Sequence, residues 1–129
     1  MTQMCNAEIE SVTIDDADRG FLTAWLHLNY GGSGQGFGGY TLYLPNSFFH
    51  ADNQANFAGH FIWRCMEVGG VTRWNDLKGK TIRVEREDGW GGSILRVGHI
   101  VKDIWFDPKK EFEALMTLNG VKAAERAEP

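Results

Sequence analysis

Residues Phe21 to Tyr30 carry the clearest alternation in the chain. Leu22, Ala24, Leu26, Leu28 and Tyr30 fall on one side of an extended segment, and Thr23, His27 and Asn29 on the other. That period of two predicts a half-buried strand. Phe21 and Trp25 share the second side, so it should be partly covered too. Glu8 to Asp15 reads as an earlier strand with Val12 and Ile14 on one face, and Met1 to Ala7 before it read as loose. Asp15 to Gly20 is turn chemistry, rich in side chains that bond their own backbone. Tyr40 to Leu44 forms a strand stopped by Pro45, and Ser47 to Asn53 reads as a loop.

The period then changes. From Asn53 to Gly69, Phe57, Phe61, Cys65 and Val68 share one helical stripe, with Ala58, Ile62 and Met66 beside it. His60, Trp63, Arg64 and Glu67 lie opposite. Asp52 or Asn53 can cap this helix, and Gly69-Gly70 can end it. Thr81 to Arg86 and Ser93 to Val101 pair as strands around a turn marked by Asp88-Gly89 and Gly91-Gly92. Lys102 to Phe106 extends the second of them or begins another. Asp107-Pro108 opens a short helix, Asp107 as cap and Pro108 at the first position, which ends near Asn119-Gly120. Residues 121–129 read as a mobile tail.

This order lacks the βαβα alternation of a parallel sheet. It predicts an α+β fold: an antiparallel sheet of about five or six strands, one main packing helix and a short C-terminal helix, with a partly open barrel as the alternative. The 129 residues make one domain, 1–129, with mobile ends at 1–7 and 121–129.

The net charge of −4 works against nucleic-acid binding, and there is no basic run: Lys109-Lys110 is followed at once by Glu111. Cys5 and Cys65 form no paired framework. Their sparse use, with no apolar span and no signal peptide at the start, points to the cytoplasm.

Two constellations stand out. The first is Gly31-Gly32-Ser33-Gly34-Gln35-Gly36-Phe37-Gly38-Gly39. Gly34 to Gly39 fits G-x-G-x-x-G, but a dinucleotide site needs a helix after it and here a strand follows. A kinase-type flap fits the local order, yet the chain is too short for a kinase. Two readings stay open: a flexible hairpin connection, or a bare backbone that approaches a ligand or partner closely. In the second, Tyr30, Gly34, Gly36, Phe37, Gly39 and Tyr40 form the binding surface. The other constellation is the polar helix face of His60, Trp63, Arg64 and Glu67. Its Trp63 is either covered by the C-terminal segment or a binding hot spot.

Catalytic and metal residues are not expected. No histidine pair has the spacing of a helical metal site, and His60 and Cys65 point about 140° apart on their helix. Cys65 falls on a buried stripe, Ser33 is not in a nucleophile elbow, and the carboxylates cluster in turns. No cofactor is implied.

Phe21-Leu22-Thr23-Ala24-Trp25-Leu26, then Gly31 to Tyr40, then Gly59-His60-Phe61-Ile62-Trp63-Arg64-Cys65 resemble small uncharacterised proteins encoded by tailed phages and prophages. The similarity runs from about Gly20 to Phe112. It implies an accessory protein acting in the bacterial cytoplasm by binding, and in some cases blocking, a host or phage protein. The expected partner is therefore a protein, with a homodimer as a further form of it. The alternative is a small-molecule or nucleotide binder that uses the glycine segment as a flap, with weak enzymatic activity at most.

Overall fold

A computed structural model describes residues 1–15, 21–43, 57–89 and 92–114. Its strands are β1 (Thr2–Asp15), β2 (Phe21–Asn29), β3 (Gly34–Tyr43), β4 (Thr81–Glu87), β5 (Ile94–His99) and β6 (Trp105–Phe106). Helix α1 spans Phe57–Gly69, a 3-10 helix spans Trp74–Leu77, and residues 108–114 are helical and are termed α2. The fold is α+β, as the periodicity predicts. All strands form one antiparallel sheet in the order β3-β2-β1-β4-β5-β6. Two meanders thus share β1 and step outward from it on opposite sides.

The long β1 serves its neighbours with different halves. Thr2 to Glu8 pair with β4, whereas Glu8 to Asp15 pair with β2. Such a stagger shears the sheet, and shear makes a sheet curl towards a barrel. The curl brings the two edge strands together: the rings of Phe37 on β3 and Phe106 on β6 lie 6.0 Å apart.

Residues 1–7 are a correction to the sequence reading. Thr2 to Ala7 are strand, Ala7 is buried and Cys5 packs half-buried against the core. Thr2 to Asn6 show no apolar alternation because most of their side chains are exposed. Backbone pairing with β4 orders them, and a hydrophobic pattern cannot report that.

The core joins Ile9, Leu26, Leu28, Ile82, Val84 and Val97 of the sheet to α1. Ala58, Phe61, Cys65 and Val68 are the buried positions of α1. The helix ends in a Schellman turn: Val71 N–H donates to the Met66 carbonyl, Gly70 N–H to that of Glu67, and Gly70 has φ +72°. At α2, Asp107 Oδ1 accepts from Lys110 N–H at 3.1 Å, the expected cap, with Pro108 as first helical residue. The expected capping residues Asp52 and Asn53, the Ser47 to Asn53 loop, the end of α2 and the tail lie outside the described residues.

Candidate functional site

The glycine segment is not a nine-residue loop. The chain turns between Asn29 and Ser33, where Asn29 Oδ1 accepts from Gly31 N–H and Tyr30 N–H donates to the Ser33 carbonyl at 2.9 Å. Gly34 onward is strand β3. Its glycines make room for a ring. A Cβ at Gly36 would lie 3.2 Å from Trp25, and one at Gly39 only 2.7 Å. Gly39 is also the extra residue of a bulge, since Ala24 pairs with Tyr40 and Trp25 with Gly38. Phe61 comes so close to Gly38 that a Cβ there would sit 2.7 Å from its ring. The sequence pattern showed low steric bulk. It could not show that one indole and one phenyl ring would use it.

β3 is the edge of the sheet. The bond from Tyr30 N–H to Ser33 sets the phase of the β2–β3 ladder. Leu28/Gln35 and Leu26/Phe37 are then the hydrogen-bonded pairs, so Gly34 and Gly36 turn their N–H and C=O groups away from β2. Across from them runs β5. Its partner β6 pairs with it at Val97 and Gly98, and among the described residues no strand pairs with Ile94, Leu95 and Arg96 on that side. Two open strand edges therefore face one another across the seam of the curled sheet. A direct link crosses it at the end of the β4–β5 turn, where Gln35 Nε2 donates to the Gly92 carbonyl at 3.0 Å. Tyr30 holds that amide in place by donating its hydroxyl to Gln35 Oε1 at 2.7 Å.

The seam is a groove of about 850 Å³. Phe37, Tyr40, Pro108 and Phe112 are among the residues that line its apolar side. Tyr40 is half-buried, and burial pushes its phenol above the usual tyrosine range. On the β5 side, Glu85 accepts from Arg96 Nε at 2.5 Å. Lys109 and Lys110, both exposed, stand at the α2 end.

The polar face of α1 is occupied within the chain. His60 Nε2 lies 2.7 Å from Glu111 Oε1, and Arg64 Nε donates to the same oxygen at 2.9 Å. Arg64 also pairs with Glu67 at 2.6 Å, donates to the Trp105 carbonyl and lies over the Phe106 ring. Burial works against the Arg64 charge, but the carboxylates of Glu111 and Glu67 outweigh it and hold the guanidinium more firmly protonated. This face locks α1 to α2 and β6. Trp63 remains 55% exposed beside it. Glu111, one turn beyond the Asp107 cap, is the residue that sequence reasoning missed.

Of the residues expected to bind, Gly36, Phe37 and Tyr40 line the groove, and Gly34 lies on β3 just before its lining begins at Gln35. Phe37 is also part of the core, Gly39 lies beneath Trp25, and Tyr30 supports Gln35 with Arg86 over its ring. Burial drives the Cys65 thiol well above the usual range, which leaves it protonated and unreactive. Among the described residues no three His, Cys, Asp or Glu side chains gather as a metal site, and no helix is long and apolar enough to cross a membrane. Comparison with protein-family models, curated proteins and solved structures returns no match.

Proposed function

We propose that the protein is a binding module that takes an extended segment of a partner protein between β3 and β5. The carrying observation is the pair of open strand edges facing one another across the groove. Unpaired N–H and C=O groups on a strand edge are a template for another strand. Natural edges are usually blunted by charges or proline, and Gly34 to Tyr40 contains neither. An added strand needs about 4.8 Å on each side, takes its affinity from main-chain bonds and its specificity from alternate side chains. The resemblance to accessory proteins of tailed phages supports a host or phage protein as the source of that segment.

The test selects random eight-residue peptides on the purified protein and measures the enriched ones by titration. Gly36→Pro removes an outward N–H at an edge position, where proline is tolerated; because a Cβ there meets Trp25 at 3.2 Å, its melting temperature is measured beside the affinity, and only a variant that melts within a few degrees of the unaltered protein is scored. It should weaken these peptides tenfold or more, with Gly34, Gly36 and Leu95 amide resonances moving on binding to the unaltered protein. Trp63→Ala should leave affinity unchanged. Peptides that bind Gly36→Pro equally well and move none of those amides would overturn the reading. A concentration-dependent dimer lost in Gly36→Pro would assign the edge to a second copy of the chain instead.

A further inference from the structure

The groove is not electrically even along its length. Glu85 is neutralised by Arg96 and also accepts from Thr2 Oγ1 at 2.8 Å. At the other end, Asp107 is engaged as the α2 cap through Lys110 N–H. Lys109 and Lys110 both line the groove there, and neither ammonium has an ion-pair partner among the described residues. Two lysines against one carboxylate leave that end positive, although the chain as a whole carries −4.

The geometry points to an acidic extended peptide as the occupant, with its Asp or Glu side chain at the Lys109–Lys110 end. This rests on the reading of the groove as a strand-addition site. Side chains of an added strand alternate between faces. One set would meet Phe37, Tyr40 and Phe112, which accept apolar groups. A carboxylate at the α2 end would meet the two lysines. Backbone bonds along Gly34 and Gly36 then supply most of the affinity, while the lysines fix direction and select sequence. A basic residue in the same place would face like charge.

The experiment uses peptides enriched from the random eight-residue library and their single Glu→Lys and Asp→Lys analogues. They are measured on the unaltered protein and on the double variant Lys109→Glu/Lys110→Glu. Both lysines are exposed, so the variant should melt as the unaltered protein does. Enriched peptides should carry an acidic residue near one end, and its replacement by lysine should weaken binding about two- to fivefold, as expected of exposed ion pairs. The double variant should reverse that preference. At 1 M salt, where screening acts over about 3 Å, the preference should fade while binding persists. Enriched peptides with no acidic preference, or a preference untouched by the double variant, would sink the inference. If those same peptides still depended on Gly36, the strand-addition site would stand without it. No enrichment at all would overturn both.

Discussion

The polar face of α1 and the edge of β3 present unsatisfied groups of different kinds, and the chain treats them differently. On α1 the groups are side chains, and one carboxylate from α2 meets His60 and Arg64 together. On β3 they are backbone groups set in a row, which water can meet one at a time but another extended segment can pair all together. Gln35 bridges to Gly92 at one end, and among the described residues no strand pairs with the outer edge of β3. A face of charged side chains is therefore weak evidence for a binding site, because a short helix can close it. An uncharged edge strand opposite a second open edge is stronger evidence.

The contrast depends on the curl that sets β3 against β5, and Phe61 holds that curl. Its fully buried ring packs against Phe37 and Tyr40 on β3, Phe106 on β6 and Trp74 on the 3-10 helix. Phe61→Ala should lower stability by about 3–5 kcal/mol in denaturant unfolding. A loss under about 1 kcal/mol would mean that the edges come together without it.

The next effect separates the glycines. Gly38 has φ +129°, and a Cβ there would lie 2.5 Å from the Ala24 carbonyl oxygen. Gly38→Ala should cost about 2–4 kcal/mol. Gly34, whose Cβ would lie 3.2 Å from the Leu28 carbonyl oxygen, should lose no more than about 1 kcal/mol on the same change. Equal losses would mean that the segment is uniformly strained rather than built around Trp25 and Phe61.

Much of the architecture was legible because burial follows period. Ala24, Leu26 and Leu28 alternate as read, and Phe61, Cys65 and Val68 are the buried stripe of α1. The Asp107-Pro108 start of α2 was legible from local capping chemistry alone. The site was not. Gly34 to Gly39 look like a loop because glycine has no side chain to alternate. Their use as strand depends on where Trp25 sits in the facing strand, which is a matter of register. The same device recurs at Gly98, where a Cβ would lie 2.5 Å from the Trp105 ring, itself covered by Arg83 and Arg96. Neither pairing leaves a mark on one segment read by itself. Glu111 was hidden for a similar reason: it meets His60 and Arg64 across about fifty residues of chain.

The α1 face gives a smaller effect. Glu111→Gln keeps the shape of the side chain and removes the charge that His60 and Arg64 share. It should cost about 1–2 kcal/mol. In a double-mutant cycle with Arg64→Met, the two changes should be clearly non-additive. Additive losses would show that Glu111 does not couple to Arg64, and would reopen the α1 face as a binding surface.

The smallest effect lies on the groove wall. Arg96 donates to the Glu85 carboxylate and Thr2 donates to it as well; these bonds, Arg96 first, hold its pKa below the ordinary glutamate value of about 4.3. A carboxylate whose pKa is lower in the folded chain stabilises the fold above the unfolded value, and that contribution disappears as pH falls through the folded value. Any weakening from this pair therefore belongs to the acid side of about pH 4.3, and neutral pH should show its full contribution. Carboxyl titration by NMR should find Glu85 below its usual range. Arg96→Gln should move it back up, and Thr2→Val should move it in the same direction by less. A Glu85 that titrates normally in the unaltered protein would show the Arg96 contact to be solvent-screened. Arg96, which lines the groove from its place over the Trp105 ring, would then carry an uncompensated charge there, and the preference for a carboxylate would no longer be confined to the α2 end.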